Sequence, residues 1–261
     1  MVADPLPHVT PRPAATLLML RDGAEGLEVL MTSRHEEAAF AGGALVFPGG
    51  KVDPADHALA GHYAAKTALD EDALVLRIAA IRETFEECGI LLARTDGALL
   101  SAELLAPLLL RHGRSDAGFA ALVAAAGLDL AVDDLVPYAH WITPVDRPKR
   151  FDTHFFLAPA APDQIAIHDG REAVDAVWMT PSAVLRGADE KRIKLVFATR
   201  MNLVKLGRSK TVSDALAAAR AAPVVTVTPV IEKTSAGPFI HIPEAAGYGA
   251  TRFAARDIPR A

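Results

Sequence analysis

The sequence predicts an α/β fold, and three observations predict it. Two β-prone apolar runs open the chain around a glycine turn, a glycine-rich loop then leads into long Ala/Leu-rich helical stretches, and strand character returns after residue 136 before helices resume. Residues 10–190 are assigned to one main domain, with a helical insertion at about 98–132, and residues 191–261 to a C-terminal helix and extension.

In chain order, residues 14–20 and 27–32 read as a hairpin around Asp22-Gly23, where glycine supplies the positive φ of a tight turn. A third apolar run, 44–47, stops at Pro48-Gly49-Gly50, a breaker cluster that lets backbone approach a ligand without side-chain interference. Residues 58–81 are expected to be helical and to run on into an acidic stretch, with Ile78, Ile81 and Phe85 as the buried stripe. Residues 101–112 and 115–126 predict two more helices, each opening on a serine able to cap its first amides. Strands are expected at 136–143, 153–158, near Ile165 and at 173–179, and helices from Pro181 and over 193–206. Residues 223–247, rich in Val, Thr, Pro and Gly, read as strand or extended chain.

With 51% hydrophobic and 23% charged residues, the 261-residue chain has the composition of an ordinary globular protein. Its net charge of −5 supplies no general attraction to nucleic acid or an anionic membrane, so neither is expected as a partner. No uncharged run reaches the roughly 18 apolar residues of a bilayer crossing, and neither end reads as a targeting signal. The single cysteine, Cys88, excludes an internal disulfide framework, and together these features favour the cytoplasm.

The stretch Arg82-Glu83-Thr84-Phe85-Glu86-Glu87-Cys88-Gly89-Ile90 carries the chemistry. Helical spacing sets Glu83 beside Glu86 and Glu87, and like charges at those offsets repel unless a cation joins them. A hard divalent ion such as Mg²⁺ takes carboxylate oxygens and keeps waters and substrate phosphates as its other ligands.

These residues, Arg82-Glu83-x-x-Glu86-Glu87-x-Gly89-Ile90, resemble the second half of the Nudix box, and Phe47-Pro48-Gly49-Gly50-Lys51-Val52-Asp53 resembles its glycine-rich entry. The box has the form G-x5-E-x7-R-E-U-x-E-E-x-G-U, with U a bulky apolar residue. Thr84 stands at the first U, the first acid falls at Asp56, and an insertion separates Asp56 from the helix, which leaves open the pairing with the arginine that the family gives that acid. The resemblance implies the Nudix fold, an α/β/α sandwich with a mixed sheet. It further implies hydrolysis of a diphosphate linkage in a nucleotide derivative with Mg²⁺ or Mn²⁺, in an expected homodimer. Glu83, Glu86 and Glu87 would bind the metal together with the Gly49 carbonyl, Glu83 being also the first choice for accepting the proton of water beside Arg82. Glu172, between Gly170-Arg171 and Val177-Trp178, resembles a later loop glutamate that also reaches the metal.

An insertion within the box and the segment 147–153 resemble the subgroup related to the peroxisomal coenzyme A diphosphatase. An upstream coenzyme A pattern matches at residues 30–34 and 43–50, with His35 and Ala39 as departures, the latter replacing an arginine. Coenzyme A or acyl-coenzyme A is thus the leading substrate class, and an adenosine 3′,5′-bisphosphate and a phosphopantetheine the implied products. Competing readings are another nucleoside diphosphate derivative, such as a dinucleotide, ADP-ribose or nucleotide sugar, or a non-catalytic nucleotide sensor. Arg34, Arg147 and Arg150 offer the fork geometry that grips phosphates, and Gly50 and Lys51 lie where substrate would pass. The nine histidines show no zinc spacing, His57 and His62 being five apart, and Cys88 is expected to be a small buried side chain.

Overall fold

The computed structural model describes residues 9–35, 42–114, 116–161, 163–170 and 173–254. Its strands and helices are, in order, β1 (Arg12–Gly23), β2 (Gly26–Arg34), β3 (Leu45–Val46), β4 (Gly49–Lys51), α1 (Pro54–Tyr63), α2 (Glu71–Cys88), β5 (Ala93–Thr95) and β6 (Ala98–Leu99). There follow α3 (Ala102–His112), α4 (Asp116–Ala126), β7 (Asp129–Leu130), β8 (Val136–Ile142), β9 (Phe151–Pro159), β10 (Ala173–Met179) and α5 (Pro181–Asp189). The chain continues through α6 (Phe197–Leu206), α7 (Val212–Ala221), β11 (Thr226–Val227), β12 (Val230–Thr234), β13 (Gly237–His241) and β14 (Arg252–Ala254).

Alternation along the central strands divides the molecule into two apolar layers. On β1, Ala15, Leu17 and Met19 face one core and Leu18 and Leu20 the other, and β9 repeats this with Phe156 and Ala158 against Phe155 and Leu157. The first core is closed by α1, α2 and the α3–α4 pair, the second by α5, α6 and α7, which makes the α/β/α sandwich. The sheet runs β10-β2-β1-β9-β8-β11, with β3 on β2 and β4 on β1. Its mixed character comes from two parallel pairs, β1 with β9 and β8 with β11, among antiparallel neighbours.

The single helical run expected from residue 58 is broken in two. Tyr63 at the end of α1 donates its hydroxyl to Leu128 O at 2.7 Å and accepts from Leu130 N at 3.1 Å, which pins that helix end to the insertion. Asp70 then restarts the helix by accepting from Ala73 N at 2.7 Å. Ile165 lies in no strand and is largely exposed. Its neighbour Gln164 anchors the segment instead, bonding to Leu91 N and O and to Leu100 O. Within residues 223–247, β11 joins the main sheet, while β12 and β13 form a small antiparallel sheet with β14. Trp141 is a core residue that donates to the Tyr248 hydroxyl at 2.9 Å, tying the C-terminal part to β8. Among the described residues no helix is long and apolar enough to cross a membrane.

Candidate active site

Helix α2 carries Arg82, Glu83, Glu86 and Glu87, and the sheet carries the loop it faces. Gly49, Gly50 and Lys51 form β4, paired with Thr16, Ala15 and Ala14 of β1. Gly49 is required by close approach of backbone, and Gly50 makes room for a side chain. A Cβ on Gly49 would fall 2.5 Å from the Ala15 carbonyl oxygen, and one on Gly50 would fall 2.5 Å from Glu83 Cδ. The absence of a side chain at Gly50 is therefore what lets the Glu83 carboxylate lie on the loop.

Arg82 organises the site from below. Its guanidinium reaches Asp56 through Nε at 2.8 Å and Nη2 at 3.0 Å, a bidentate pair in which Asp56 is 0% and Arg82 3% exposed. Nη2 also donates to Lys51 O at 2.9 Å, and Nη1 donates to Glu83 Oε1 at 3.1 Å and Glu86 Oε2 at 3.0 Å. Burial opposes the charge on Arg82, but Asp56, Glu83 and Glu86 outweigh it and hold the pKa above the ordinary arginine value. One fixed cation thus lies against three carboxylates and a carbonyl. Asp56 serves two elements at once, since its Oδ2 also accepts from Asp53 N at 2.8 Å and completes the capping box of α1.

Glu87 is 5% exposed, and the side chains of Glu83 and Glu86 are 14% and 13% exposed. The donor set suits a hard divalent cation, because it consists of carboxylate oxygens on one helix with a single arginine behind them. The three acids do not converge as tightly as a cluster elsewhere in the fold, His140, Asp152 and His154, whose ligand atoms lie within 4.8 Å of one another. Arg82 Nη1 holds Oε1 of Glu83 and Oε2 of Glu86, so one cation orients both carboxylates. The helix ends at Gly89, in the left-handed conformation at φ 70°, with its N–H bonded to Phe85 O. Cys88 is fully buried, and burial, followed by the charge of Glu87, pushes its thiol pKa up, which removes it from nucleophilic chemistry.

The phosphate-gripping candidates are dispersed. Arg34 ends β2, held through its backbone to Ala44 O and Gly43 N just before the glycine-rich loop. Lys51 is exposed beyond its carbonyl contact with Arg82. Arg147 is half exposed beside Asp146, on the turn between β8 and β9. Arg150 is buried and donates to Thr143 O at 3.0 Å and Val9 O at 2.8 Å, so its guanidinium fastens that turn to the start of the described chain. Glu172 and Ala39 lie outside the described residues.

Sequence reading left the Asp56–Arg82 pair open because the two are 26 positions apart. The G-x5-acid spacing from Gly50 marks Asp56 as the acid, and the fold brings it back to the arginine across the insertion.

Comparison with known proteins places the chain in a family. The chain is 28% identical over 238 residues to the Homo sapiens acyl-coenzyme A diphosphatase NUDT19, covering 73% of this chain and 63% of that protein. It is 26% identical over 238 residues to the Gallus gallus protein of the same name, covering 72% and 63%. It therefore spans less than two thirds of the length of these curated relatives. The crystal structure of a NUDIX hydrolase from Alicyclobacillus acidocaldarius superposes with a TM-score of 0.71 at 29% identity, over 80% of this chain and 96% of that one. Residues 60–206 match the family model described as the NUDT19 Nudix domain, a stretch that contains the whole of α2 and more than half of the sequence, and the chain thus belongs to the Nudix hydrolase family.

Proposed function

We propose that this protein hydrolyses a diphosphate linkage in a nucleotide derivative, with coenzyme A or an acyl-coenzyme A as the leading substrate class and Mg²⁺ or Mn²⁺ as the required ion. The observation that carries the reading is the Arg82 clamp. By drawing Asp56, Lys51 O, Glu83 and Glu86 together it joins the two halves of the box across the insertion, so the acids and the glycine-rich loop face each other. The similarity to acyl-coenzyme A diphosphatases supports the substrate class.

A divalent ion supplies charge compensation for the phosphate oxygens and activates water at neutral pH. Glu83, Glu86 and Glu87, with the Gly49 carbonyl, would hold it. Glu83, whose carboxylate lies on Gly50, takes the role of accepting the proton of water, with Arg82 Nη1 bonded to its Oε1 at 3.1 Å. The low exposure of this face limits competing solvent around the acids. Arg34 and Lys51 remain available to the outer phosphates, whereas Arg150 acts through the fold.

The test is a hydrolysis panel with Mg²⁺ and with Mn²⁺ on coenzyme A, acyl-coenzyme A, NADH, ADP-ribose and dinucleoside polyphosphates, run beside Glu86→Gln and Glu87→Gln. Turnover of the coenzyme A compounds to adenosine 3′,5′-bisphosphate, lost in both variants, is expected. Preference for another compound in the panel transfers the assignment to that substrate, and equal inertness of wild type and variants despite tight ligand binding makes the protein a nucleotide sensor. A homodimer is part of this reading, and light scattering that shows only monomer removes it.

A further inference from the structure

Sequence spacing hides a second constellation. His140 of β8 pairs directly with His154 of β9, and Asp152 lies two residues before His154, so all three side chains project from the same face of the sheet. The rings stack with centroids 4.0 Å apart and planes 21° from parallel. Asp152 Oδ1 contacts His140 Nε2 and lies 3.9 Å from His154 Nε2. The other ring nitrogen of His140, Nδ1, is 2.8 Å from the Thr226 hydroxyl, which fixes the orientation of the imidazole. Among the described residues this is the one group of three His, Cys, Asp or Glu side chains that converges so closely.

We propose that His140, Asp152 and His154 bind a first-row transition ion such as Zn²⁺, at a site separate from the box carboxylates. Two imidazole nitrogens and one carboxylate oxygen make a set of borderline softness, which selects Zn²⁺ over Mg²⁺, and three protein ligands leave a position for water or an exogenous donor. In a tetrahedral zinc site, nitrogen and oxygen ligands stand about 3.3 Å apart. His154 and Asp152 need to close only slightly to meet that spacing, and His140 and Asp152 to open. Thr226 supplies the outer hydrogen bond that metal-bound histidines use to fix their tautomer. The triad is half-buried, with the side chains of Asp152 and His154 35% and 36% exposed.

Register also fixes where the ion would sit. Gly50, Ala15, His154, His140 and Thr226 are successive partners in one row across five strands. At about 4.8 Å per strand, His154 stands about 10 Å and His140 about 14 Å from Gly50, on which the Glu83 carboxylate rests. The triad and the box acids share the face covered by α2, with only the small side chain of Ala15 between them in that row. This inference is independent of diphosphate hydrolysis, since it rests on residues outside the box.

The test uses the full chain without a histidine tag, stripped of metal and held in excess Mg²⁺, titrated with Zn²⁺ in a calorimeter. One saturable zinc site is expected. His154→Gln and Asp152→Asn should abolish it, Thr226→Val should weaken it roughly 10–100-fold, and the pair Glu86→Gln with Glu87→Gln should leave it in place. Circular dichroism on each variant confirms that it is folded. Absence of saturable zinc binding to the wild-type chain overturns the proposal, and that result needs no variant. So does zinc binding that survives His154→Gln or that disappears with the two box substitutions.

Discussion

Gly50 matters because of what it does not carry. A methyl group there would meet the Glu83 carboxylate, the movable end of a side chain, and not backbone. Gly50→Ala should therefore displace Glu83 and lower kcat on the order of 10²-fold, while changing the urea midpoint little, because the neighbour can swing away. A fall in stability without loss of turnover would show that the glycine serves folding instead. Asp56 is the opposite case: it is fully buried, bidentate to Arg82 and bonded to Asp53 N. Asp56→Ala should destabilise the chain by about 3–5 kcal/mol, because it leaves a guanidinium buried without its main partner, and urea denaturation at neutral pH measures it. At this scale the acids of the helix were legible from their spacing alone, since i+3 and i+4 offsets state their neighbours directly. The histidine triad was not, because β-pairing sets two residues 14 positions apart side by side and periodicity carries no trace of it.

Helix α2 carries the box acids, and it packs against α1, β1 and β4. Helix α4 of the insertion adds to this packing, with Phe119 against Phe85 at ring centroids 5.7 Å apart and both rings fully buried. Phe119→Ala should cost about 3–5 kcal/mol in denaturant titration, although the residue is far from the acids in the chain. An effect below 1 kcal/mol would mean the insertion is peripheral. Element existence was readable in β1, β2 and α3, where a period or a cap marks the element, and in α5 from its opening proline, but not in α7, although Thr211 caps it. Expectation failed between α1 and α2, where alanine-rich composition hides a break imposed by Asp70 and by Tyr63 reaching over to Leu128 and Leu130. It failed again at Ile165, where one apolar residue suggested a strand although Gln164 does the anchoring.

At the scale of the whole molecule, two cores back one sheet, and each buries groups that resist losing a proton. Tyr63 and Cys88 lie in the first, Tyr138 and Tyr248 in the second, and in all four burial is the leading cause of a raised pKa. An acid that keeps its proton in the folded chain longer than in the unfolded one stabilises the fold below the unfolded pKa and loses that contribution as pH rises above it. The urea midpoint should thus hold to about pH 8.5 and decline through about pH 10, the ordinary thiol and phenol values. Lys205, lowered by burial and then by Arg208, works in the opposite direction, one group against four. A midpoint that stays level or climbs to pH 11 would contradict this balance. The joining of the box through Asp56 and Arg82 has a consequence for how such proteins are found. Its two halves are neighbours in space and strangers in the chain, so the tether between them can lengthen without disturbing the acids. A search that fixes the interval in residues passes over chains of this kind, whereas one that seeks G-x5-[DE] and R-E-x2-E-E independently, and asks only that they occur in that order, would retrieve them.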